Sequence, residues 1–539
     1  MTVEVSRLSR RAFLRQSQWA LGGTVGTAVL SPLTWAQETS GSRTLVANIV
    51  PEPQGLVGGI AISAPALAIS SNIFDALVEY DADFKPTPSL AESWEESADG
   101  KSITFRLRQG VKWHDGKPFT SADVQFSIME LMKKVHPRGG GFYAALTGVD
   151  TPDPHTAVFR FSRRAPVVWS VLNQETQILP RHLYEGTDLL TNPWNQKPIG
   201  TGAFVFKEWA RGDYVLLERN PDYWDKSRSN LRRIRFRFIP DSGARAAALE
   251  TGEVQYTPLS PVPLADVPRL KRNAKLVIET RGNEASAPMF FFDFNLRRPQ
   301  FQDVRVRRAF AHAIDKKALA EKVWYGFATP ATGPVPSYQA NFYTADVPTY
   351  AFDPALAERL LDEAGHKRGA DGIRMRITHD PMPYGDEYRQ TGEFIRESLK
   401  AVGIEVTLRN NDLPTFLRKV FTDNDFDTLN SFYAAYSDPQ IGVHRRFWSK
   451  AIKKGTPWSN ASGYSNEKAD ALIDTIQTEG DVVKRRQAIH ALQRLAQTDL
   501  PSITLLEQHP FRVFSSRLSG VNVNPDGNGA SLKGVSLAA

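Results

Sequence analysis

Residues 426–448 (FDTLNSFYAAYSDPQIGVHRRFW) concentrate side chains suited to holding a small molecule. Phe432, Tyr433, Tyr436 and Trp448 offer aromatic walls, and Asp438 offers a carboxylate. His444, Arg445 and Arg446 follow as three consecutive cationic or titratable groups. Ligand pockets pair such walls with a few polar groups that fix orientation, and an arginine can grip a carboxylate with two parallel hydrogen bonds. These eight residues are the candidate ligand-binding set. The plainer alternative is a strand and a core-facing loop followed by a solvated charge cluster.

Bond-making chemistry finds little footing. The chain has no G-x-S-x-G elbow, H-E-x-x-H pair, P-loop or EF-hand loop. Gly200 and Gly202 lack the third glycine of a dinucleotide fingerprint and read as a tight turn. The ten histidines are dispersed, and Asp81 with Asp83 reads as a solvated loop rather than a calcium site. There is no cysteine, which excludes disulfides, thiolate metal sites, a cysteine nucleophile and a lipoprotein anchor. Carboxylates abound without any pair standing out. The expectation is no enzyme, no catalytic residue, no metal and no cofactor.

A chain of 539 residues exceeds what one hydrophobic core serves, so two or more lobes are expected. With 41% hydrophobic and 23% charged residues the composition is that of a soluble globular protein. The net charge of +7 is partly N-terminal: Arg7, Arg10, Arg11 and Arg15 stand against Glu4. Other basic residues are scattered, and 232–237 (RRIRFR) alternates like a strand with one solvated face, so nucleic-acid binding is not expected. At the N-terminus, Ser9-Arg10-Arg11-Ala12-Phe13-Leu14 resembles the twin-arginine export motif. A weakly apolar run from Trp19 to Leu33 follows, too short to span a membrane, and Ala36 is a plausible cleavage point.

The elements that must position the candidates are legible piecemeal. Thr44–Ile49 reads as a buried strand, Ile69–Tyr80 as a helix, and Ile103, Phe105 and Leu107 as the inward face of a strand. Thr120 with Asp123 reads as a capping box opening a helix. Gly139-Gly140-Gly141 is loop punctuation. Residues 244–252 read as a helix closed by glycine, and Phe290–Asn295 as a strand buried on both faces. Asp303 caps a helix to Ile314, and Asp353-Pro354 opens another that ends at Gly365. Phe394–Gly403 is a helix, Ile404–Leu408 a strand, Lys484–Thr498 an amphipathic helix and Pro501–Leu506 a strand.

The wording of several of these stretches is more specific than their pattern. LAESWEESADGKSITFRLRQGVKWHDGKPFTSADVQFSI, from Leu90 to Ile128, closely resembles the signature of the peptide/nickel-binding family of solute-binding proteins, the extracytoplasmic receptors of ABC importers. The likeness returns in Asp153–Val158, Pro198–Phe204, Leu217–Trp224, Phe290–Asn295 and Phe301–Asp315. The resemblance implies an α/β, two-lobed periplasmic-binding-protein fold with an additional accessory domain. It implies an export signal over 1–36 and a first lobe from 44–80, 197–284 and 512–539. The accessory domain would take 81–196 and the second lobe 285–511, with ligand in the interlobe cleft. It further implies a soluble periplasmic monomer that binds a short peptide or peptide-like solute and delivers it to inner-membrane permease subunits, after passage through the twin-arginine translocase. A nickel or other metal chelate, haem, an opine or an oligosaccharide are alternative ligands; a periplasmic enzyme or a chaperone is a rival reading.

One departure bears on the ligand. Peptide-binding members resemble "FD…GW..D" here, the aspartate neutralising a peptide's free amino group. From Phe426-Asp427, Tyr433 falls at the tryptophan and Tyr436 at the aspartate. A buried ammonium without a carboxylate is costly. Either Asp438 substitutes, or the ligand lacks a free amine and His444, Arg445 and Arg446 meet its carboxylate.

Overall fold

The computed structural model describes residues 43–538 apart from 62, 227–229, 260–261, 285–287 and 522–526. The export segment, with Arg10 and Arg11, lies outside the described residues.

Thr44–Asn48 lacks a solvated face because it lies inside a seven-stranded sheet, parallel to both Arg233–Arg237 and Tyr256–Thr257. Ile234 and Phe236 point into the core while the intervening arginines stay outside, as their alternation requires. Beside this sheet stands a four-stranded antiparallel one, ordered Ala91–Glu96, Ser102–Leu107, Thr156–Phe161, Leu146–Asp153. Ile103, Phe105 and Leu107 are buried, and the two sheets share one continuous apolar core. The Thr120–Asp123 capping box forms, opening the helix Ser121–Phe126.

The helix read over Ile69–Tyr80 is corrected. The helix is Ala64–Ser70, capped by Ser63, and Val78–Tyr80 is a strand paired with Pro86–Pro88. The intervening chain gives its carbonyls to a distant segment: Asn72 O accepts from Phe204 N at 3.0 Å and Ile73 O from Gly202 N at 2.8 Å. A Cβ on Gly200 would lie 1.8 Å from Ile73 O, so the two backbones meet where only glycine fits. The glycines at 139–141 form a one-turn helix, Gly139–Phe142, rather than an irregular loop.

The second large sheet has six strands, ordered Ala328–Pro330, Ser502–Gln508, Pro288–Phe294, Thr428–Ala434, Met375–Pro381, Ile404–Leu408. Pro288–Phe294 is an inner strand covered on both sides, which accounts for its apolar run, interrupted only by Asp293. Phe290, Phe292 and Phe294 pack against helices, while Met289 and Phe291 pack on the opposite face. Asp303 and Asp353 each cap a helix as read, over Val304–Ala313 and Pro354–Glu363. The helix read from Phe394 begins earlier, at Asp386.

The chain passes between the large sheets twice. Leu276–Glu279 lies in the first and Pro288–Phe294 in the second; Ser502–Gln508 lies in the second and Arg512–Ser515 in the first. The start of one crossing strand and the end of the other are antiparallel neighbours, with Met289 opposite Glu507. Both crossings thus leave the second sheet at the same end of its inner strands, and that end, the edge nearer the crossings, faces the first lobe.

Candidate functional site

The facing edge carries a continuous set of side chains. Met289 is in register with Glu507 on one side and Tyr433 on the other, so these three residues share a sheet face. Beyond Ala434 the chain turns at Tyr436, which has φ of 53°, an uncommon value for a bulky residue. Its carbonyl accepts a hydrogen bond from the Gln339 side-chain amide. Arg138, from the accessory region, lies over the Tyr436 ring at 5.1 Å. The Ser437 hydroxyl donates to Ser170 O at 2.8 Å, and Ile441 packs against the first lobe's core. The loop 435–442 is therefore one place where the second lobe touches the rest of the chain; Arg163, which donates to the Gln477 carbonyl, marks another.

Two neighbouring arginines have opposite circumstances there. Arg446 is ion-paired with Asp293, which also accepts from Ser431 Oγ at 2.6 Å. A cavity of about 10 Å³ adjoins this pair, bounded by Asp293, Tyr433, Arg446 and Ser459, with room for one water. Arg445 lies 5.2 Å over the Tyr433 ring, and its buried Nε has no hydrogen-bond partner. Among the described residues no carboxylate lies within ion-pair distance of it. Burial holds its pKa below the usual guanidinium range; Tyr433 and Tyr436 oppose that shift, while Arg138 and Arg446 add repulsion. Arg138 itself is charge-matched by Glu175.

The other candidates divide between interior and cleft. The Asp438 carboxylate is buried, 2.9 Å from the Arg485 guanidinium and 2.9 Å from Gln440 N, so its charge is already met. His444 is buried with both ring nitrogens unpartnered, and burial pushes its pKa down to about 3. Trp448 packs with the cluster of Ile473, Ile489 and Leu492, away from Tyr433 and Tyr436. Phe432 points to the other sheet face, stacked on Trp458 at 6.4 Å and edge-on to Tyr384 at 5.5 Å. Arg138, Gln339 and Glu507 went unread because each is remote in sequence and carries no motif. Among the described residues no three histidine or acidic side chains gather as a metal site would require. No described helix is long and apolar enough to cross a membrane.

The model of the bacterial extracellular solute-binding proteins, family 5, middle region, matches residues 85–454. The chain belongs to this family. This family 5 protein is 27% identical to the oligopeptide-binding protein AppA of Bacillus subtilis over 474 residues, covering 85% of this chain and 84% of that one. It is 26% identical to the dipeptide-binding protein of Escherichia coli, covering 90% and 93%. Its fold matches NikZ from Campylobacter jejuni, solved in complex with Ni(L-His), with a TM-score of 0.79 at 22% identity over 92% of this chain and 99% of that one. The two-lobed α/β receptor fold follows from the structure and these matches together.

Proposed function

We propose that this family 5 protein is the periplasmic receptor of an ABC importer for a short peptide or peptide-like solute bearing a carboxylate. Solute bound between the lobes stabilises the closed form, which the inner-membrane permease subunits recognise. The protein works as a monomer, without catalysis and without a lipid anchor. Its first 36 residues direct export through the twin-arginine translocase. The lobes follow the boundaries given above, with the accessory region over 81–196.

The observation that carries the carboxylate is Arg445, half-buried with its Nε shielded from water, without an ion-pair partner among the described residues, and repelled by Arg138. A desolvated guanidinium without a counter-charge is costly, and a ligand carboxylate repairs it with charge-assisted hydrogen bonds. The likeness to the oligopeptide-binding protein AppA of Bacillus subtilis and the dipeptide-binding protein of Escherichia coli supports a peptide as its bearer.

Thermal unfolding against peptides, N-blocked peptides, opines, oligosaccharides and metal chelates tests this. A ligand at 100 times its Kd adds about 2.7 kcal/mol. Carboxylate-bearing peptides should give the shift, and Arg445→Ala should abolish it. Stabilisation by uncharged sugars alone, or an undiminished shift in Arg445→Ala, overturns the reading.

A further inference from the structure

A second unmatched charge lies on the same edge. Glu507, on the strand Ser502–Gln508, is only 3% exposed, yet no basic side chain among the described residues pairs with it. Its carboxylate accepts from Ser337 alone, from Oγ at 2.8 Å and from the backbone N at 3.1 Å. Beside it the Tyr338 hydroxyl is buried without any hydrogen-bond partner. That hydroxyl feels both Glu507 and Glu284, which with burial push its pKa well above 10. Next in the chain, Gln339 gives its amide nitrogen to the Tyr436 carbonyl and leaves its buried Oε1 unsatisfied. Serving that carbonyl requires the nitrogen to face it, which fixes the amide orientation and leaves the oxygen as a spare acceptor.

Two acceptors and a carboxylate therefore await donors, and buried acceptors without donors are expensive. We infer that Glu507 and Tyr338 form a subsite for the ligand's ammonium group, with Gln339 Oε1 accepting a peptide N–H between that subsite and Arg445. This rests on the peptide reading above and supplies the amine anchor that Tyr436 does not. The register gives a scale. Glu507 and Tyr433, the ring over which Arg445 lies, are two strand spacings apart through Met289, roughly 10 Å between their backbones. An extended residue spans about 3.3–3.6 Å, so the two subsites are on the scale of a short peptide of about three residues.

The test uses the purified protein and a mixed tripeptide library, offered as free-amino peptides and after N-acetylation, read by thermal shift and calorimetric competition. The wild type should bind the free-amino library at least about tenfold tighter, the worth of one charge-assisted hydrogen bond. Glu507→Gln should erase that preference, and Tyr338→Phe should reduce it through an independent substitution. Arg445→Ala should weaken both libraries. Equal binding of the two libraries by the wild type, or a preference that survives in Glu507→Gln and in Tyr338→Phe, overturns the subsite while the receptor reading stands. Failure of both libraries to bind the wild type overturns the two together.

Discussion

Inside the second lobe two buried charge pairs are closed: Asp293 with Arg446, and Asp438 with Arg485 at 2.9 Å. At the cleft edge Glu507 is buried and Arg445 is half-buried with its Nε shielded from water, yet among the described residues neither has a partner of opposite sign. Both regions pay the desolvation of ions, but only the interior recovers it within the chain. Stability requires the closed pairs; the open charges make sense in a protein whose missing counter-charges arrive with a ligand. Local sequence does not distinguish the two, since Arg445 and Arg446 are adjacent and identical in type.

The sharpest way to break this contrast is to open a closed pair. Arg446→Ala strands Asp293 in the interior and should cost about 3–5 kcal/mol in chemical denaturation. Asp438→Ala should do the same by stranding Arg485. A loss below about 1 kcal/mol in both would mean that the interior pairs are no more settled than the cleft charges.

The buried histidines give a graded version. His444 and His379 are each held neutral by burial, their pKa values lowered from 6.5 to about 3. A group with a folded pKa below its unfolded value contributes stability that is complete above about pH 6.5 and lost as pH falls toward 3, because the unfolded chain takes up the proton first. Denaturation midpoints should therefore fall through this window, each histidine adding up to about 1.4 kcal/mol per pH unit. His444→Gln should flatten the slope by its share. An unchanged slope would show that His444 is protonated in the fold.

Opening nothing should cost least. Arg445→Ala removes a cation that has no partner, so ligand-free stability should shift by less than about 1 kcal/mol, in either direction. A loss comparable to that of Arg446→Ala would give Arg445 a structural role and close the contrast.

What was legible in the sequence was local. The capping boxes and aspartate caps at Thr120, Asp303 and Asp353 formed where their spacing placed them, because a cap is settled within one turn. The phenylalanines at 290, 291, 292 and 294 read correctly as a strand covered on both faces. The stretch after Ser70 misled because its carbonyls are taken by Gly202 and Phe204, a partner far along the chain. The candidate set suffered from the same distance. Asp438 looked available until Arg485, on the helix Val482–Asp499, closed it. Glu507 went unread, just past the strand read over Pro501–Leu506, since the lack of a cation around it is a property of six strands and not of seven letters.

The Ser437 hydroxyl resting on the Ser170 carbonyl joins loops from the two sides of the cleft in a chain without a single cysteine. Thiols placed at neighbouring exposed positions would be the sole thiols on the molecule, so a donor and an acceptor dye could be attached by thiol chemistry without first replacing native cysteines. Energy transfer between them would then report opening and closing of the cleft as a colour ratio, and the receptor would become an optical gauge of its own solute.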